Sequence, residues 1–180
     1  ISGVIDITTT EVCDMVAGGI FPATEDRFGA MIRKRMPYIG SVGALDMVNF
    51  GPPETVPEKY RTRLFYRHNP QVTLMRTSVA ENVEMGRFIA SRLNEMEAPV
   101  RFFLPEGGVS ALDKPGQPFF DPQANDALFR TIEENVRRTE TRQVIRLPYH
   151  INDAAFADEV TRAFLSLHGG KRQRSSKARR

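Results

Sequence analysis

The chain has 180 residues, 41% of them hydrophobic, with 25 basic and 22 acidic side chains for a formal net charge of +3. That size and apolar share suit one compact domain with a real core. No apolar run approaches the roughly 18 residues that a membrane-spanning helix needs, so no membrane partner is expected. The single cysteine, Cys13, rules out an internal disulfide framework and a cysteine-based zinc site; it points to a reducing, cytoplasmic setting and reads as a small core residue.

The positive charge is concentrated at the end. The last ten residues, KRQRSSKARR, hold six basic side chains and no acid, which leaves 19 basic against 22 acidic residues in the body. Residues 1–168 are therefore read as a single α/β domain and 169–180 as a basic, disordered tail. No aromatic residue is interleaved with the tail charges, so nucleic acid is not an expected partner. The chain opens on the strand-like ISGVIDI without an initiator Met, and is expected to be the C-terminal half of a longer two-domain protein.

In chain order, GVIDI reads as a buried strand and EVCDMVAGG as a helix capped by Thr9 or Thr10 and ended by Gly18-Gly19. ATEDRFGAMIRKRM has acids early and bases late, as a helix prefers, and Pro37 stops it. YIGSVGAL is the second strand. DMVNFGPPETVPEKYR is a proline-rich excursion with no clear period, and RLFY and VTLM follow, separated by the turn-like HNPQ. If RLFY and VTLM pair, His68-Asn69 belongs to a hairpin turn. The helix SVAENVEMGRFIASRLNEM, capped by Thr77 or Ser78, leads to the strand VRFFLP. A glycine- and proline-rich loop, EGGVSALDKPGQPFFDP, comes next, then the helix PQANDALFRTIEENVRR, the strand QVIRLPY and a last helix from INDAAFADEV. Apolar strands alternating with amphipathic helices predict a three-layer, Rossmann-like or flavodoxin-like α/β sandwich, with a mostly parallel sheet of about five strands.

Open parallel sheets bind ligands beyond the carboxyl ends of their strands. The residues that follow each strand are thus the candidate site: Thr9 and Thr10; Ser41, Asp46 and Asn49; Arg76, Thr77 and Ser78; Gly107, Gly108, Ser110 and Asp113; and His150, Asn152 and Asp153. Hydroxyls and backbone N–H groups at helix starts suit an anion, and Arg76 adds a fork of donors. Asp46, Asp113 and Asp153 suit a ribose hydroxyl or a hydrated Mg²⁺. On this reading Arg76→Ala weakens anion binding with little loss of stability. Asp113 and His150 are the candidates for acid–base chemistry, but no catalytic residue is assigned. The pattern G-x-x-x-x-G-K-[ST] is absent, and GGVSAL misses the G-x-S-x-G elbow because position 112 is Leu. The three histidines lie in separate segments, and no metal-ligand spacing is seen.

The strings SVGALDMVNFGP, HNPQVTLMRT, GVSALDKPGQPFFDP and HINDAAFA occur here in that order. They resemble the C-terminal half of a widespread, uncharacterised bacterial and fungal family, also called tobamovirus-multiplication-protein-like ATP-binding. The same domain forms the inhibitory region of a plant tomato mosaic virus resistance protein. The resemblance implies a missing glycine-rich, Rossmann-like N-terminal half as partner, and ATP, with Mg²⁺, as ligand. The expected function is thus binding of a nucleotide or phosphometabolite, a small anionic ligand, in a cleft shared by the two halves. An enzyme acting as a hydrolase or transferase on a small phosphorylated acid, an interaction domain docking a protein, and a homo-oligomer remain alternatives.

Overall fold

A computed structural model describes residues 2–177, with side chains described up to Leu167. His168 and the predicted basic tail, 169–180, fall outside the residues whose side chains are described. The elements run β1 (Val4–Thr8), α1 (Thr10–Ala17), α2 (Gly29–Lys34), β2 (Tyr38–Gly43), β3 (Met47–Phe50), β4 (Phe65–Asn69), β5 (Val72–Arg76), α3 (Val79–Glu95), β6 (Val100–Pro105), α4 (Pro122–Asn135), β7 (Arg142–Leu147) and α5 (Ala154–Lys177).

Four strands form a parallel sheet in the order β1-β2-β6-β7, and β3-β5-β4 form a separate antiparallel sheet. The architecture is a Rossmann-like α/β sandwich. Side-chain alternation along the parallel strands divides the core in two. Tyr38, Val42, Phe102, Leu104 and Val144 meet Val12, Ile89, Leu128 and Ile132 of α1, α3 and α4 on one face. Ile39 and Phe103, with Ile7, Ile145 and Leu147, meet Phe156 and Val160 of α5 on the other. The strand order never reverses, so the crossover helices share one face and α5 alone covers the other.

Local chemistry explains the element ends. Gly18 closes α1 in the left-handed conformation (φ 76°), its N–H donating to Asp14 O. Ser78 and Glu81 form a reciprocal capping box at the start of α3, and Arg63 clamps the same Glu81 carboxylate. Asp121 caps α4 by accepting from Ala124 N, with Pro122 in the first turn.

Three sequence expectations change. VTLM does not join the parallel sheet; it is β5, the centre of the antiparallel sheet, and its partner β4 makes HNPQ a hairpin turn. DMVNF, which lacks a readable period, forms β3 because it pairs with β5 in the register Val48–Met75. Isolated four-residue strands carry too little pattern to announce themselves; the partner strand supplies the ladder. The predicted helix 23–36 shrinks to α2, since Phe28 enters it with φ 75°.

Candidate functional site

The carboxyl ends of β1, β2, β6 and β7 open onto one rim. The predicted strand-end residues do not all serve that rim in the same way. Thr9 is fully buried, and its hydroxyl reaches Ser41 O at 3.5 Å rather than capping α1. Ser41 is also buried and donates to Phe103 O at 2.8 Å, stitching β2 to β6. Thr10 donates to Met47 O and accepts from Asn49 Nδ2. Asn49 lies on β3, where its N–H and side chain bind the carboxylate of Asp14. Asp14 went unremarked in the sequence because an aspartate inside a helix reads as solvated. Here it is buried, also accepts from Phe21 N, and has its pKa raised, chiefly by burial.

Arg76 faces inward and is 5% exposed. Its Nε donates to Phe119 O, Nη1 to Thr77 O and Oγ1, and Nη2 to Asp121 O and Asn125 Oδ1. All five N–H donors are thereby used. The guanidinium sews β5 to the far end of the 106–122 loop and to α4. Thr77 completes the network, donating to Leu45 O and accepting from Asn82 Nδ2.

Asp113 is also fully buried. Its Oδ2 accepts from Val109 N and Asn125 Nδ2, while Oδ1 lies 3.8 Å from Arg76 Nη2, close enough for charge attraction but too far for a hydrogen bond. Gly107 and Gly108 spend their N–H groups on Tyr149 O and Pro105 O. Gly108 sits at φ 125°, and a Cβ there would fall 1.8 Å from Asp113 O. The glycine pair therefore packs the loop against its own backbone and against residues 149–150. Phe119 is buried and anchors the loop, whereas Phe120 is 44% exposed.

Ser110 is held by hydrogen bonds on both sides. Its hydroxyl donates to Asp46 Oδ2 at 2.6 Å and accepts from Leu112 N at 3.0 Å. Asp46 is fully buried, and its other oxygen has no hydrogen-bond partner among the described residues. Its carboxyl is pushed from 3.8 up to about 6, first by burial and also by nearby Asp113, against the opposing pull of Ser110 and Arg76. His150 does not meet the Ser110 hydroxyl. Its Nε2 contacts Ser110 O at 2.8 Å and its Nδ1 accepts from Asn152 N, which puts the ring proton on Nε2. Asp153 in turn accepts from His150 N. A Ser110–His150–aspartate relay is therefore not built, and His150 with Asp153 holds the backbone of the rim instead. Cys13 is buried near Asp46, its thiol raised well above its ordinary range, first by burial; it serves the core, as expected.

The 106–122 loop walls two clefts. The larger, ≈ 370 Å³, lies over β6, β7 and α4 and is walled by Pro115, Phe120, Pro122 and Phe129, with Glu106, Gly107, Gly108, Asn125, Asp126 and Arg146. Its one cation, Arg146, pairs with Glu133 and with Glu106 and Asp126. The smaller, ≈ 230 Å³, sits over the ends of β1 and β2, between Thr8, Gly43 and Ala44 on one side and Ser110, Ala111 and Asn152 on the other. Among the described residues no basic side chain lines it. Asp46, Asp113 and Asp153 turn to different partners, and among the described residues no group of three His, Cys, Asp or Glu side chains is placed to hold a metal. Arg146, Asn125 and Asp14 were missed as contributors. The sequence reads Phe119-Phe120 together as anchors of the loop; Phe119 is one, while Phe120 lines the larger cleft.

The fold and rim define an α/β domain with a polar network beneath a two-cleft carboxyl edge. The chain belongs to the Uncharacterised protein family (UPF0261), of which it is a C-terminal domain, the family model matching residues 1–168. It is 60% identical to a UPF0261 protein of Rhizobium meliloti (strain 1021) over 93% of this chain and 42% of that one. It is 50% identical to a ToMV resistance protein of Solanum lycopersicum, over 93% of this chain and 22% of that one. A UPF0261 protein of Clostridium tetani is 42% identical, over 93% and 41%. The chain thus spans less than half the length of these relatives. No helix among the described residues is long and apolar enough to cross a membrane.

Proposed function

We propose that this domain contributes the base-binding side of a nucleotide site, of which ATP is the leading candidate, shared with the N-terminal part of the longer protein. The observation that carries the reading is the composition of the larger cleft. Phe120 and Phe129 with Pro115 and Pro122 offer flat apolar walls for a purine ring, and its one guanidinium is already ion-paired. Such a wall grips a base and leaves the phosphates to be held elsewhere. Arg76 and the Gly107 and Gly108 N–H groups, the donors expected to take an anion, are spent within the domain. The strand order supports sharing. Among the described residues the unreversed β1-β2-β6-β7 sheet contains no switch-point crevice of its own, and β7, the edge strand beside the larger cleft, leaves room for another part of the protein to complete one. Any Mg²⁺ would then accompany the phosphates at the other half.

Calorimetric titration of the full-length protein with ATP, adenosine and tripolyphosphate tests this. Phe120→Ala should weaken ATP and adenosine by about tenfold, as expected for losing about 1–3 kcal/mol of ring stacking, and leave tripolyphosphate unchanged. Equal affinities of wild type and variant for ATP and adenosine would remove the nucleotide from this cleft.

A further inference from the structure

The smaller cleft has a chemistry of its own. Ser110 borders it, with its hydroxyl already donating to a carboxylate 2.6 Å away. That carboxylate, Asp46, is fully buried and has one oxygen without a partner among the described residues. The hydroxyl is also held from the other side by Leu112 N–H. The Ser110 backbone is pinned by His150, which Asp153 positions. Two exposed polar side chains line the same cleft, Thr8 and Asn152, and neither makes a side-chain hydrogen bond among the described residues. A nucleophile with a base, a rigid backbone and unspent donors lining the same cleft is the set that acyl transfer requires.

We propose that Ser110 is a nucleophile activated by Asp46 for hydrolysis of a small, uncharged carboxylic ester bound in this cleft, with Asn152 and Thr8 as donors to the oxyanion. The volume of ≈ 230 Å³ admits only a short acyl group. Among the described residues the lining holds no Lys or Arg, and the Asp46 carboxylate beneath disfavours a phosphate and favours a neutral electrophile.

In the first half-reaction Ser110 Oγ bonds to the carbonyl carbon and its proton passes to Asp46 Oδ2. The carbonyl oxygen becomes the oxyanion, facing the Asn152 amide and the Thr8 hydroxyl. The C–O bond to the alcohol then breaks, and Asp46 returns the proton to the leaving oxygen. Water repeats the sequence on the acyl-serine with Asp46 again as base, releasing the acid and restoring the Ser110 hydroxyl. Ester plus water gives acid plus alcohol, and no other reactant is consumed. A carboxyl poised near 6 is largely ionised at neutral pH yet basic enough to take a proton transiently.

The activity stands apart from the nucleotide reading, because it uses the other cleft and its probe contains no nucleotide. The test is p-nitrophenyl acetate with the full-length protein, reading p-nitrophenolate release and mapping acetylated peptides by mass spectrometry. The expected result is an acetyl group on Ser110, release that rises with pH through about 6 as Asp46 ionises, and loss of both in Ser110→Ala. Asn152 is exposed, so Asn152→Ala keeps the fold, and it should cut release by about 100-fold. Asp46→Asn should slow release and lose the rise through that pH. Acetylation elsewhere, release that survives Ser110→Ala, or an Asn152→Ala variant as fast as wild type would overturn the proposal.

Discussion

Replacing Arg76 with alanine perturbs the most heavily committed side chain in the domain. The guanidinium is 5% exposed and donates to five acceptors, on Phe119, Thr77, Asp121 and Asn125. It is also the cation nearest the buried Asp113 carboxylate, at 3.8 Å. Alanine leaves Phe119 O and Asn125 Oδ1 without their donors and Asp113 without a countercharge. Removing one partner of a buried ion pair costs about 3–5 kcal/mol. Against a total stability of about 5–15 kcal/mol for a domain, that is a large share. For a chain of this length it lowers Tm by about 10 °C. The protein has no tryptophan and four tyrosines, so urea unfolding should be followed by far-ultraviolet circular dichroism together with tyrosine fluorescence. A loss near 4 kcal/mol with an unchanged denaturant slope is the expected outcome. A loss below about 1 kcal/mol, the range of ordinary surface substitutions, would refute the latch and restore Arg76 as a ligand-binding side chain.

Two further predictions concern the same rim. Asp46 has its pKa raised from 3.8 to about 6, so between those values the folded state holds the proton more tightly than the unfolded chain does. Stability therefore falls as pH rises through that window, by up to about 3 kcal/mol from this residue. In parallel unfolding titrations, the advantage of wild type over Asp46→Asn should shrink by about that amount between pH 4 and pH 7, and a flat difference would show that Asp46 ionises normally. Gly108→Ala places a Cβ 1.8 Å from Asp113 O at φ 125° and should cost at least about 3 kcal/mol, whereas Gly116→Ala, at φ 82° with nothing within 4 Å, should cost about 1 kcal/mol. Equal losses in thermal melts of the two variants would mean that backbone conformation, not the close approach, decides at Gly108.

The α/β class and the polar carboxyl rim of the sheet were legible from local pattern alone. Strands such as VRFFLP and helices such as the one beginning at Ser78 carry their signals within a dozen residues: apolar runs, a 3.6-residue period, a capping box. The edge was legible because chain direction in a parallel sheet dictates which residues follow each strand. Two of the strings that resemble the family, GVSALDKPGQPFFDP and HINDAAFA, follow β6 and β7 at that edge, and the family match covers residues 1–168.

What each rim residue does was decided only by the tertiary structure. An arginine after a strand has the same local signature whether it points at a ligand or at Phe119 O. The difference lies in contacts spanning 43 to 49 residues of sequence. The Ser110–Asp46 pair joins side chains 64 residues apart, and the β3 ladder exists only because β5 lies beside it. Sequence periodicity reports which face of an element is apolar, because burial repeats with the backbone. It cannot report which polar atoms meet, because hydrogen bonds between distant segments depend on angstrom-level distances that only the packed core fixes.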